Sequence, residues 1–187
     1  MPDAACFSMR VIIGFWVVWS IVPSLMAAAL EIQHAAARGT LRLAIAKIEP
    51  FTVRETASAP DVLYPGGRML ARLGDDAGIS ITISFDDSHL FDAVEQRAFR
   101  EVTAELAEAG SPHHLLRTHG GREWIYQVFI APSDAVVTAQ TFVEGHPLAV
   151  VFWLPRQREN VLQHHEVGLF MDNLVVDWVQ FSPGDSN

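Results

Sequence analysis

The segment between residues 114 and 154 most constrains the fold, because it holds four apolar stretches separated by turns of only a few residues. The turn signals at its three junctions are Gly120-Gly121, Pro132-Ser133-Asp134 and Glu144-Gly145-His146-Pro147. Strands joined by such short connections can only be antiparallel. The sequence therefore predicts a meander of four strands, over residues 114–118, 123–130, 135–143 and 148–154.

Other segments of the chain also have the patterns of strands. Residues 79–85 (ISITISF) alternate apolar and small polar side chains, which is typical of a half-buried strand. Residues 148–154 (LAVVFWL) are apolar on both faces, which indicates a central strand covered by helices. Further strands are predicted over residues 41–48, 51–55, 68–73 and 174–181. The Ala-rich residues 31–40 could form a short helix or a ragged terminus.

A long amphipathic helix is predicted over residues 89–109. Asp86, Asp87 and Ser88 precede it as candidates for the N-cap, and Gly110 and Pro112 follow it in the order expected at a helix end. Its apolar residues recur at a spacing of three to four and are expected to face the core. They are Leu90, Phe91, Val94, Ala98, Phe99, Val102 and Leu106. A second helix is predicted over residues 158–173.

This order of elements predicts an α+β fold: an antiparallel sheet of about five to seven strands with two main helices packed against it. The 158 residues from position 30 to 187 are enough for one domain with a self-sufficient core.

The first 29 residues have the pattern of a signal peptide. Arg10 precedes the apolar run 11–22, and Ala27 and Ala29 suit the small positions of a cleavage site before Leu30. Met9 is a candidate for the true start, since Asp3 weakens the cationic flank that such a leader uses. The alternative is an uncleaved membrane anchor, because residues 11–30 are just long enough to span a bilayer. The expected domains are a leader over 1–29 and one exported domain, periplasmic or extracellular, over 30–187.

Composition excludes several classes of function. Thirteen Lys and Arg against 22 Asp and Glu give a net charge of −9, which argues against binding nucleic acid. Cys6 is the only cysteine, so disulfide frameworks, Cys-ligated zinc and iron–sulfur clusters are ruled out. The sequence also has no phosphate-binding loop, dinucleotide fingerprint, G-x-S-x-G elbow or H-E-x-x-H motif. No catalytic, cofactor or metal residue is assigned.

The histidines are the candidates for a metal site. His113, His114 and His119 could approach one ion with His164 or His165. However, adjacent residues of a strand point to opposite faces, and no tetrahedral spacing is present. We therefore expect these histidines to lie in solvated loops.

Three other groups have simpler structural explanations. Asp86 and Asp87 could form an acid pair but suit helix capping better. Trp124 and Tyr126 could line a pocket, yet their alternation with Val128 predicts core positions. The loop over residues 56–67 is long enough to be functional, and Asp61, Tyr64 and Arg68 are its candidate contact residues.

These observations favour a non-catalytic binding module or an accessory factor for envelope assembly, with a protein partner. The first alternative is a metal-binding protein or an enzyme that uses histidines and carboxylates from distant segments. The second is a membrane-tethered accessory subunit that retains its N-terminal helix. Contact with a membrane is expected only through that N-terminal segment.

Overall fold

The computed structural model describes residues 29–56, 59–60, 67–155 and 165–181. Strands dominate this part of the chain, with two helices between them. The elements are β1 (Leu30–Ala36), β2 (Gly39–Ile45), β3 (Thr52–Glu55), β4 (Ala59–Pro60), β5 (Arg68–Gly74), β6 (Ser80–Phe85), α1 (Ala93–Glu108), β7 (His114–His119), β8 (Arg122–Ile130), β9 (Asp134–Val143), β10 (His146–Pro155), α2 (His165–Asp172) and β11 (Leu174–Gln180).

The larger of two antiparallel sheets contains the predicted meander. Its strand order is β3-β5-β6-β10-β9-β8-β7, and β4 pairs with β5 outside this path. Strands β7 to β10 follow one another as predicted, and β10 then pairs with β6. β10 is therefore central, as its two apolar faces indicated, with Val150 and Val151 on opposite faces and both buried.

The smaller sheet has the order β1-β2-β11 and joins the two ends of the described chain. The expectation of a short helix or ragged terminus over 31–40 was wrong, because Leu30–Ala36 pairs residue by residue with Gly39–Ile45. Ile32 and His34 point inward while Glu31 and Gln33 are exposed. Pairing and burial thus outweigh the helix propensity of the alanines.

The core lies between the two sheets. β2 contributes Leu41, Leu43 and Ile45, each no more than 1% exposed, and these pack against the inner face of the large sheet. Phe170 of α2 lies against Phe152, with ring centroids 5.7 Å apart. The α+β class is thus supported at a coarse level, but the sheet is covered chiefly by a second sheet rather than by two helices.

The first helix begins four residues later than predicted. Asp92 is its N-cap and accepts bonds from the backbone N–H groups of Val94 and Glu95, while Glu95 accepts from the backbone of Asp92. Asp86 instead accepts from the N–H groups of Ser88 and His89 and holds a turn before the helix. The expected capping role of Asp86, Asp87 and Ser88 was therefore wrong.

Several predicted features fall wholly or partly on residues that the structure does not describe. The leader over 1–29 lies outside the described residues except for its last position, and so do Asp61 and Tyr64. Of the second predicted helix, only His165–Asp172 is described as helical. Within the described ranges, neither helix is both long enough and apolar enough to cross a membrane.

Candidate functional site

Helix α1 packs against the protein with a different side from the one that its apolar pattern predicts. Thr103 is the residue of α1 that is buried, whereas the exposed fractions of Val94, Val102 and Leu106 are 75%, 56% and 40%. Successive residues of a helix point about 100° apart, so Val102 faces well away from the buried Thr103. The expectation that these apolar residues face the core was wrong for Leu90 as well, which is 45% exposed.

Polar contacts and one aromatic side chain hold α1 in this orientation. The Phe99 ring meets the Phe142 ring edge-on, with centroids 6.2 Å apart. The Gln96 side-chain amide donates to the carbonyl oxygen of Phe91 at 2.8 Å, and Arg100 Nε lies 2.6 Å from Glu123 Oε1. These contacts use one edge of the apolar pattern and leave the rest of it in solvent.

A groove of about 400 Å3 runs between α1 and the outer face of the large sheet. We call it the α1 groove. Ala98, Phe99, Val102, Thr103 and Leu106 form one wall, His114 and Gln127 form the other, and Glu95 lies at the rim. Most of the exposed surface in the groove is therefore apolar.

The apolar surface continues beyond the groove along β8. Phe129 follows Gln127 by two residues and so lies on the same face of the sheet. It is 59% exposed. A protein in water gains nothing by exposing a large aromatic side chain beside an apolar groove, which makes this surface a candidate for an interaction site.

Glutamates surround the exposed side of α1. Glu95, Glu101, Glu105 and Glu108 share the exposed side with Val94, Val102 and Leu106. Within the described residues, Glu101, Glu105 and Glu108 make no ion pair, and the basic Arg100 pairs with Glu123 on another side of the helix. The groove therefore has an acidic border formed by Glu95 in its lining and by Glu105 three residues after Val102, while the exposed Arg97 lies four residues before Glu101, further round the helix.

A second concave site, of about 400 Å3, lies on another side of α1. We call it the arginine cavity. Gln96 and Arg100 of α1, the turn and strand residues 119–125, Thr141 and Phe142 of β9, and Leu174 and Val176 of β11 line it. Two cations, Arg100 and Arg122, and one carboxylate, Glu123, are among these residues.

Behind this cavity, His119 links two parts of the fold. Its Nδ1 lies 2.7 Å from Asp172 Oδ1, and its Nε2 lies 2.8 Å from the Tyr126 hydroxyl. A carboxylate can only accept, so Nδ1–H donates to Asp172 and Nε2 accepts from Tyr126. Burial raises the pKa of Tyr126 above its usual range; the Arg117 guanidinium opposes this and the Asp172 carboxylate adds to it. The phenol therefore stays neutral, and both histidine nitrogens are engaged.

The remaining described histidines have structural partners or lie in solvent, and the expectation of solvated loops holds for only some of them. His34 is 8% exposed and lies 2.9 Å from Asp87, while His146 donates to the carbonyl oxygen of His89. His114 lies 3.0 Å from the Ser111 hydroxyl, and His113 and His165 are exposed. His164 lies outside the described residues. Among those that are described, no three His, Cys, Asp or Glu side chains form a group that could hold a metal ion.

The other candidates from the sequence are widely separated in the fold. Asp87 pairs with His34 and lies 3.9 Å from Arg68, at the junction of the two sheets. Trp124 and Tyr126 are each 1% exposed and belong to the core, as their alternation predicted. Nothing in the sequence pointed to the arginine cavity, because its residues come from four segments with no regular spacing.

Comparison of the chain with protein-family models gives no match, and neither do comparisons with curated proteins and with solved structures.

Proposed function

We propose that this protein is a non-catalytic binding module that takes up a cationic amphipathic segment of another protein in its α1 groove. The observation that carries the proposal is the exposure of Val94, Val102 and Leu106 on a helix that is held in place by its other side. An amphipathic partner binds such a surface by placing its own apolar stripe in the groove.

The acidic border indicates the charge of the partner. Glu95 and Glu105 lie beside the apolar residues of the groove, and the exposed Arg97 lies further round the helix, four residues before Glu101. Lysines or arginines beside the apolar stripe of a partner would meet these carboxylates, and they would speed association and fix its orientation. The same glutamates disfavour an anionic lipid surface, because like charges repel.

The test uses two synthetic helical peptides with the same apolar stripe, one with lysines and one with glutamates on the polar face. Binding is measured by fluorescence anisotropy at two ionic strengths. We expect the lysine peptide to bind, more weakly at high salt, and the glutamate peptide not to bind. Val102→Asp should weaken binding by about tenfold or more, because it places a charge in the apolar contact.

Matched charge reversals separate the groove from the general acidity of the protein. Glu105→Lys should weaken binding by about two- to fivefold, as expected for an exposed charge pair. Asp76→Lys makes the same change of charge in the turn after β5, where Asp76 is fully exposed, and should leave binding unchanged. Equal effects of the two reversals, or no effect of Val102→Asp, would refute the proposal.

Two further measurements on the wild type and Val102→Asp test other occupants of the groove. Self-association in sedimentation runs that Val102→Asp abolishes would replace the cationic partner by a second copy of the chain. Binding to phosphatidylglycerol vesicles that depends on Val102 would replace it by a membrane. Either result would overturn the proposal.

We also propose that the protein is exported and that its leader is removed before Leu30. The support is the sequence alone, with Ala27 and Ala29 in the small positions. Mass measurement on material from the native host should give a chain that starts at Leu30. A full-length product in the membrane fraction would favour a tethered subunit instead.

A further inference from the structure

We infer that the arginine cavity binds a small carboxylic acid with an aliphatic or aromatic body. This inference is independent of the α1 groove, because the two sites lie on different sides of α1 and share none of their lining residues. Its volume of about 400 Å3 is within the range of small-molecule sites in proteins.

The charges of the cavity favour an anion. Arg100 and Arg122 line it against the single carboxylate of Glu123, although the whole chain has a net charge of −9. His119 adds no free donor, because Asp172 and Tyr126 occupy its two nitrogens. An anion would therefore find a local excess of positive charge in an acidic protein.

Both arginines have N–H donors beyond the one that each uses in the contact given below. Arg122 uses Nη1 to donate to the carbonyl oxygen of Phe142 at 2.9 Å. Arg100 uses Nε toward Glu123. A guanidinium has five N–H donors in a planar fork that matches the two oxygens of a carboxylate, so each arginine can still receive one. Glu123 is the internal competitor for this contact, since it is itself a carboxylate at 2.6 Å from Arg100.

The other wall of the cavity determines the body of the ligand. Ile125 and Leu174 are buried behind it, while Phe142 and Val176 are half-buried and keep part of their apolar surface for a ligand. A free inorganic anion would leave this surface uncovered, whereas an acid with a short apolar body covers it. The strand and turn positions are also fixed, because His119 ties the end of β7 to Asp172 at the end of α2.

The cavity holds groups for binding rather than for chemistry. The one imidazole at its wall has no free nitrogen, because Asp172 and the Tyr126 hydroxyl occupy both, and the Glu123 carboxylate is paired with Arg100. A general base needs a free lone pair within reach of the proton that it removes. We therefore expect the acid to be bound and released unchanged.

The experiment is a titration of the purified protein with benzoate and with hexanoate, followed by backbone amide NMR shifts. Benzamide is the neutral match for benzoate, and inorganic phosphate is the anion without an apolar body. We expect saturable shifts centred on Gly120, Gly121 and Val176 with at least one of the two acids, and no saturable shift with benzamide or phosphate. Failure of both acids to saturate, or equal binding of benzamide, would overturn the inference.

Three variants make the test specific to Arg100 and its competitor Glu123. Arg100→Gln should weaken binding by about tenfold or more, as expected when a charge-assisted contact is lost. Arg97→Gln, on the same helix but outside the cavity lining, should bind as the wild type does. Glu123→Gln should strengthen binding, because it releases Arg100 from an internal carboxylate.

The result for Glu123→Gln decides between this site and a merely structural ion pair. If the Arg100–Glu123 pair serves only to fix α1, Glu123→Gln lowers the unfolding midpoint without raising affinity, and the inference fails. Val102→Asp should weaken binding of the lysine peptide at the α1 groove but does not alter the cavity, so it should leave the binding of the acid unchanged. The two proposals can therefore fail separately.

Discussion

The hydrogen bonds that link Tyr126, His119 and Asp172 should contribute to the free energy of unfolding by an amount that changes with pH. Tyr126→Phe keeps the buried ring but removes the O–H that His119 Nε2 accepts at 2.8 Å. The His119 side chain is 8% exposed, so water replaces this bond poorly. Near pH 8 we expect the variant to lose about 1–2 kcal/mol of unfolding free energy, the usual range for a hydrogen bond with one partner left unsatisfied.

At alkaline pH the difference should close. Burial raises the pKa of Tyr126 in the folded state, while in the unfolded chain the phenol ionises near its ordinary pKa of about 10. The folded state then binds more protons than the unfolded state, so stability falls as pH rises above about 10. At about pH 11 the wild type should have lost about 1.4 kcal/mol that Tyr126→Phe cannot lose.

The assay is urea unfolding of both proteins, followed by tryptophan fluorescence at about pH 8 and about pH 11. Tyr64→Phe is the control, since it makes the same substitution at the other of the two tyrosines. A difference between wild type and Tyr126→Phe that stays constant over this pH range would refute the reasoning. So would an absorbance change at alkaline pH that shows the Tyr126 phenolate in the folded protein.

Three further predictions concern the helix, the glycines and metals. Phe99→Ala should lower the free energy of unfolding by about 1–3 kcal/mol, because it removes the half-buried contact with Phe142, whereas Val102→Ala should lower it by less than about 1 kcal/mol. Equal losses in urea unfolding would contradict the observed orientation of α1. Gly39→Ala should lower the free energy of unfolding by about 1–3 kcal/mol, because its Cβ would lie 2.6 Å from the Val179 carbonyl oxygen. Gly168→Ala in α2 meets nothing within 4 Å and should raise it by up to about 1 kcal/mol. A loss at both positions would show that crowding is not the cause. Thermal melts with and without EDTA should coincide, and a chelator-induced drop that zinc or copper restores would return the histidines to consideration as ligands.

Local patterns in the sequence predict most of the large sheet. Residues 79–85 alternate strictly, and the turns at Gly120-Gly121 and Gly145 limit the connections to a few residues. Alternation and short turns are local properties, so they can be identified without knowledge of the rest of the chain. The half-buried character predicted for this strand was wrong, because Thr82 and Ser84 on its polar face are buried as well. The central place of β10 was predictable for the same reason, since both of its faces are apolar.

The small sheet could not be predicted, and this led to the wrong cover for the large one. Its central strand β2 pairs with β1 at one end of the described chain and with β11 at the other. The pairing of Ala44 with Val175 joins residues more than a hundred positions apart, and no local pattern encodes such a contact. Because the prediction lacked this second sheet, the two helices were expected to cover the large one. For the same reason, the apolar side of α1 was expected to be its buried side.

The orientation of α1 separates the stability of the fold from binding at the groove. Gln96 and Arg100 hold the helix through an amide and an ion pair, on the side away from Val102. A partner that covers Val94, Val102 and Leu106 therefore meets a surface that is already formed and has no core contact to displace, so little of the binding energy is spent on rearrangement. This requires that substitutions at Val102 change binding at nearly constant unfolding free energy. An α1 that packed by its apolar side would show the opposite, with binding and stability lost together.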